Sequence, residues 1–357
     1  MREELLNKIK RLRKQLHQCA EISGQEVKTK ETLIRFLKEF TNFEINPCGR
    51  GFYVACRSEG RKNRGIVLRA DYDALARPDG TAAHLCGHDG HAAVLCGVAM
   101  ILEEQKPDRD VFLLFQPAEE TGEGAFPCTE IFQKESIEEI YGMHNLPGFS
   151  KGQVYIKEGT FACGSEGLIL SFQGAAAHAA YPEYGISPAL AVGKFLCALP
   201  EISNQKFYES MTLCTVIGVS MGEKAFGAAA ADAQVWLTLR AEKNKDLENL
   251  KEKVVHYARN VAKEENLKFK IKEQDVFPAT ENNEECVKKV LQCCNGQSLK
   301  EPMRWSEDFG HYLKRCKGAF FGIGAGEDCP ALHTQFYEYP DCILRQSIEA
   351  FCRLIFE

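Results

Sequence analysis

The sequence predicts an α/β protein: a mostly parallel sheet with helices on both faces, into which a smaller α+β unit is inserted. Three observations predict it. Apolar runs ending in acids alternate with helix-period segments through the first half of the chain. From about residue 165 to about 275 the order becomes strand, helix, strand, strand, helix, strand, a self-contained two-layer unit. Beyond it the α/β alternation resumes. With 357 residues the chain also exceeds one ordinary core, so residues 1–164 and 276–357 are expected to form one domain and 165–275 the insert.

Taken in order, "MREELLNKIKRLRKQL" spaces apolar residues at helical intervals among Lys and Arg. It lacks the unbroken apolar stretch of a signal peptide and reads as an amphipathic helix. "GIVLRAD" (65–71) is a strand, "HAAVLCGVAMILEEQ" (91–105) a helix, and "DVFLLFQPAEE" (110–120) a strand running into acids. "IEEIYGM" is a third strand, followed by His144. In parallel sheets functional groups collect beyond the carboxyl ends of the strands, where Asp71, Asp73, Glu119, Glu120 and His144 fall. The insert comprises "GLILSFQG", "SPALAVGKFLCAL", "MTLCTVIGV", "AQVWLTLRAE", "DLENLKEKVVHYARNVAKEE" and "LKFKIKE". After it come "ECVKKVLQCC", "FGHYL", "AFFGIGAG" and "DCILRQSIEAFCRLIF".

Composition excludes several classes. A net charge of -6 leaves no basic surplus for a nucleic-acid partner. No apolar run approaches the roughly 18 residues of a membrane span. Sixteen cysteines in a long chain with no export signal, none of them in a Cys-x-x-Cys pair, are expected to be reduced thiols buried as small hydrophobes in a cytoplasm.

The stretch "HLCGHDGH" places three of nine histidines within eight residues. Cys86 and His88 flank Gly87, which has no Cβ to hinder a turn bringing both side chains to one point. Thiolate with imidazole suits Zn²⁺ and is usable by Co²⁺, Ni²⁺ or Mn²⁺; a buried thiol beside a helix-capping histidine is the alternative. Glu119 and Glu120 leave an apolar strand as an adjacent pair. One could hold a metal while the other takes a proton from water. Asp71 could orient His88 through its second ring nitrogen, and Asp73 reads as a solvated turn. His144, His178 and His333 each admit a purely structural role.

Six segments in this order resemble the dinuclear metallo-amidohydrolases, a family that includes N-acyl-amino-acid amidohydrolases, hippurate hydrolases, N-acetyldiaminopimelate deacetylases and auxin-conjugate hydrolases. They are "LRADYDALARPDGTAAHLCGHDGHAAVLCGVAMIL", "LLFQPAEETGEGA", "YGMHNLPG", "GAAAHAAYPEYGISPALA", "SEDFGHYL" and "GIGAGEDCPALHTQFYEYPD". The resemblance spans essentially the whole chain. It implies a metallopeptidase-type catalytic domain with an inserted lid that often dimerises. It implies two divalent cations, zinc first and manganese, cobalt or nickel after it, with Cys86 bridging them and His88, Glu120, His144 and His333 completing the set. Glu119 matches the general base, and Asp71 the partner of His88. His178 matches a lid histidine that polarises the scissile carbonyl, in some relatives from the partner subunit. Asp89 and His91 are expected to support the site rather than to ligate.

Two departures stand out. The segment between "DAL" and the Cys-Gly-His loop is shorter than in relatives. In the lid, "AFGAAAADA" has Gly227 where the family has Asn and Ala230 where it has Pro. The expected activity is hydrolysis of the amide of a small N-acylated amino acid, with Arg240 a candidate for its carboxylate. A dipeptidase or carboxypeptidase on the same scaffold is the alternative. A non-catalytic metal- or ligand-binding descendant is a second alternative, favoured by the altered lid and opposed by the presence of Glu119, while a carboxylate ligand with a spare base argues against a structural zinc site. A small-molecule substrate and a homodimer through the lid are the expected partners.

Overall fold

A computed structural model describes residues 1–58 and 64–357. The chain divides into two compact units: residues 1–161, 280–303 and 307–357, and residues 162–279 with 304–306.

The first unit is built on an eight-stranded sheet in the order Glu44–Cys48, Gly51–Cys56, Val111–Gln116, Gly65–Asp71, Ile137–Pro147, Lys317–Gly326, Val154–Ile156, Gln297–Ser298. Its centre is parallel: Gly65–Asp71 pairs with Val111–Gln116 on one side and Ile137–Pro147 on the other, and the latter pairs with Lys317–Gly326. The Glu44–Cys48/Gly51–Cys56 hairpin, unread in the sequence, adds antiparallel strands at one edge. The parallel strands are apolar on both faces because helices cover both; Gly65–Asp71 and Val111–Gln116 are buried throughout. The buried helix His88–Glu104 packs on this sheet and against the amphipathic helices Glu3–Gln18 and Leu344–Phe356. The chain leaves Gly65–Asp71 toward one neighbour and later returns to the other. Strand order therefore reverses there, and the loops beyond Asp71, Gln116 and Pro147 converge on one crevice.

The second unit has the expected βαββαβ order. Its antiparallel sheet runs Thr212–Met221, Asp232–Ala241, Gly164–Gln173, Lys268–Phe277, and packs helices Ala189–Ile202 and Asn244–Glu264. Asp232–Ala241 alternates exposed and buried residues along much of its length, as a sheet covered on one face should. No disulfide forms among the described residues. No helix among them is long and apolar enough to cross a membrane.

Candidate metal centre

Gly87 initiates the site. Its φ of 97° is left-handed, and a Cβ there would lie 2.4 Å from Asn145 Oδ1. This turn starts the helix at His88 and aims Cys86 and His88 inward. A second strained turn sits at Ala118 (φ 51°), beyond strand Val111–Gln116, and Glu26 Oε1 accepts its N–H at 2.9 Å. It swings Glu119 and Glu120 into the same space. His144 lies near the end of strand Ile137–Pro147. His333, itself at φ 62°, donates its backbone N–H to Leu85 O at 2.8 Å, which ties its loop to the Cys86 loop.

The side chains form two donor groups, Cys86–His88–His144 and Cys86–Glu120–His333, whose ligand atoms within each group lie within 4.8 Å of one another. Cys86 belongs to both. Its sulfur is 3.3 Å from His144 Nε2 and 3.4 Å from His333 Nε2, which is 3.5 Å from Glu120 Oε1. His144 Nδ1 lies 2.8 Å from Asn145 O and donates to it, so in the neutral ring Nε2 faces the sulfur as an acceptor. Burial and the neighbouring His91 and His88 hold His144 well below its usual pKa, in the neutral form a ligand requires.

The donor set fits a pair of divalent cations. His88 Nε2 and Glu120 Oε1 are buried yet have no hydrogen-bond partner among the described residues, a costly arrangement unless something positive lies between them. Burial, then Glu120 and Glu119, push the Cys86 thiol well above its usual pKa. Thiolate, imidazole and carboxylate together are borderline-soft donors. Two further clusters are already filled. Asp71 and His91 bond to each other, and Arg69 pairs with Glu307 and Asp308 of the Glu119–Glu307–Asp308 cluster.

Two expectations are corrected. His88 Nδ1 lies 2.9 Å from Asp73 Oδ1, not from Asp71. Asp73 is no solvated turn: it is fully buried, and its other oxygen takes the Ser23 hydroxyl at 2.6 Å and the Glu120 N–H at 3.0 Å. The reason is strand alternation. Asp71 follows Arg69 by two residues and shares its face, so its carboxylate meets the buried guanidinium at 2.6 Å. Its other oxygen takes His91 Nδ1 at 2.7 Å, and His91 Nε2 lies 2.6 Å from Asn145 Oδ1. Asp89 contacts His17 Nδ1 at 2.8 Å and Arg13 at 3.6 Å.

Sequence reasoning missed Arg69, Glu307 and Asp308 as a unit. Arg69 reaches Gln116 at 2.8 Å, Asp308 at 2.8 Å and Glu307 at 3.0 Å, all buried. The available signal was a guanidinium inside "GIVLRAD", which a buried strand tolerates only with carboxylates around it. Glu119 Oε1 accepts the Asp308 N–H at 3.3 Å. Burial, then Glu307 and Asp308, push Glu119 well above the carboxylate range.

His178 and Arg240 belong to the second unit. His178 is exposed, and its Nδ1 accepts the Ala180 N–H at 3.1 Å, so in the neutral ring the proton sits on Nε2. Gly227 O accepts the Ala179 N–H at 3.0 Å, tying the altered "AFGAAAADA" segment to the His178 loop. Arg240 Nη1 contacts Arg304 O and lies 2.7 Å from Ser306 Oγ.

The model of peptidase family M20/M25/M40 matches residues 67–357. The chain belongs to this family. It is 28% identical to the hippurate hydrolase of Campylobacter jejuni, over 98% of this chain and 96% of that one. It is also 28% identical to the N-acetyl-L-cysteine deacetylase of Bacillus subtilis, over 94% and 85%. A Bacillus subtilis structure described as a dinuclear metal-binding peptidase of the M20 family superposes with a TM-score of 0.82 at 22% identity, covering 99% of this chain and 98% of that one. That match bears on the fold. Family membership makes the chain a hydrolase, as the residues had implied.

Proposed function

We propose that the chain hydrolyses the amide bond of small N-acylated amino acids. One observation carries this reading: two donor groups share Cys86, and the buried carboxylate Glu119, which groups with His88 and Glu120, stands beside both as the candidate base. Divalent cations held by Cys86, His88, Glu120, His144 and His333 would supply Lewis-acid chemistry, making water acidic and a carbonyl electrophilic. Zinc suits the thiolate and imidazoles best, with manganese, cobalt and nickel as substitutes.

Glu119 takes the proton of the attacking water and hands it to the leaving amine. The Asp308 N–H holds one of its oxygens, and the other faces the donor groups, 3.9 Å from His88 Nε2. Its raised pKa suits a base that must keep a proton until the amine departs. Asp73 fixes the ring of His88, and Asp71 links Arg69 to His91 beneath the site. His178 is the donor to the developing oxyanion, a role supported by its Nε2–H. Arg240 retains guanidinium nitrogens beyond the one engaged by Arg304 and Ser306 and is assigned to the substrate carboxylate.

The same reading includes a homodimer through the inserted unit. Thr212–Met221 is an edge strand that exposes Leu213, Val216, Ile217, Val219 and Met221, a surface a second copy would cover. A monomeric elution volume in sizing chromatography would count against it. The activity is tested by amine release from N-acetyl, N-benzoyl and longer N-acyl amino acids and from dipeptides, with the protein loaded with Zn²⁺, Mn²⁺ or Co²⁺. Release from acylated substrates alone is expected. Preference for dipeptides would replace this reading with a peptidase, and silence across the panel would overturn it.

A further inference from the structure

An open chamber of about 960 Å³ lies beside His333 within the first unit, lined by Leu75, Arg77, Pro78, Leu85, His333 and Phe336 among others. Its size is that of a site for a drug-sized ligand, far beyond an acetyl group. The walls mix apolar side chains with Arg77, Asp79, His333 and Gln335, and Phe336 is 75% exposed, an uncovered aromatic surface next to a candidate metal ligand.

The charged residues of the chamber stand on one short hairpin, Leu75–Ala76 paired with Ala82–Ala83. They are not equivalent. Asp79 is spent on its own turn, accepting the Thr81 N–H at 3.0 Å and the Thr81 hydroxyl at 2.6 Å. Backbone bonds close that turn, from Arg77 N to Thr81 O at 2.7 Å and from Gly80 N to Arg77 O at 2.9 Å. The Arg77 backbone is thereby fixed, while its guanidinium has no hydrogen-bond or ion-pair partner among the described residues. It is exposed along a chamber whose lining includes His333, a member of one donor group. A planar fork of donors in such a place matches a carboxylate.

We propose that Arg77 binds a carboxylate of the substrate in this chamber, which makes it a specificity-determining residue for amides that join an apolar arm to an anionic end. The inference rests on the amidohydrolase reading above. The carboxylate has two sources, the far end of a dicarboxylic acyl arm, or the amino acid's own, in which case Arg77 takes the role given to Arg240 above; the shared chemistry is what Arg77 reads.

Equilibrium binding separates this inference from the catalytic one, because the probes have no amide to cleave between arm and carboxylate. N-benzylglycine carries the amino-acid carboxylate, 4-(benzylamino)butanoate carries one at the acyl end, and the terminal carboxamide of each, identical except that the anionic group is replaced, is its control. Titration calorimetry on the metal-loaded parent should show one acid bound roughly tenfold or more tighter than its carboxamide, the scale of a charge-assisted hydrogen bond. Arg77→Ala should erase that preference, and Arg77→Lys should keep part of it. Whichever acid loses its advantage identifies the source. A parent that binds acids and carboxamides alike, or an Arg77→Ala variant that keeps the parent's preference, overturns the proposal even if the parent turns over acyl amino acids. A preference abolished by Arg77→Ala sustains it even if none is hydrolysed.

Discussion

Replacing Arg69 with Met removes the one guanidinium that Asp71, Glu307 and Asp308 share and leaves a chain of similar length in its place. The contacts are 2.6, 3.0 and 2.8 Å, and all four side chains are buried. Removing one partner of a single buried ion pair costs about 3–5 kcal/mol, because the other charge stays buried and uncompensated. Here three carboxylates lose the same partner, so about 3–5 kcal/mol is a floor at high pH, against a total stability of about 5–15 kcal/mol. The pH dependence has a definite sign. Burial already raises Glu307 and Asp308 above their ordinary values, with Arg69 opposing the rise. The native state therefore binds more protons than the unfolded chain from the ordinary carboxylate range up to those raised values, and stability falls as pH rises through that window. Arg69→Met removes the opposing charge and steepens the fall. Urea unfolding of chelator-treated parent and variant at about pH 5.5 and about pH 8 should show a larger loss at the higher pH, as protonation relieves the cluster at the lower one. A loss below about 1 kcal/mol at the higher pH, or one equal at both, would refute the claim that Arg69 neutralises this cluster.

Three further outcomes are expected. Glu119→Gln should retain bound metal but lose at least about a hundredfold in kcat, the usual range for a general base; turnover equal to the parent would remove it from that role. Asp73→Asn should weaken metal binding about 10–100-fold by competitive chelation, since it fixes the ring of His88; unchanged affinity would return that role to another group. Gly87→Ala should lower stability by about 1–3 kcal/mol or more in thermal unfolding, since it forces a left-handed φ and drives a Cβ toward Asn145; an unchanged Tm would mean the turn is not held in this form.

Much of the fold was legible because its cues are local. "GIVLRAD" coincides with strand Gly65–Asp71, and the βαββαβ order of the insert followed from periodicity alone. The Glu44–Cys48/Gly51–Cys56 hairpin was not read, since "EINPCGRGFYVAC" lacks a clean alternation.

The sequence by itself determined the chemistry: a thiolate, imidazoles and paired carboxylates placed beyond strand ends, residue types that suit borderline-soft cations wherever the chain brings them. Only the tertiary structure decided which carboxylate serves which histidine. Asp71 and Asp73 are two residues apart and chemically identical, and the choice between them depends on Arg69, Glu307 and Asp308, distant in the chain and joined in the core. Buried charge must be neutralised by its neighbours in space, and neighbours in space are what a linear sequence does not record.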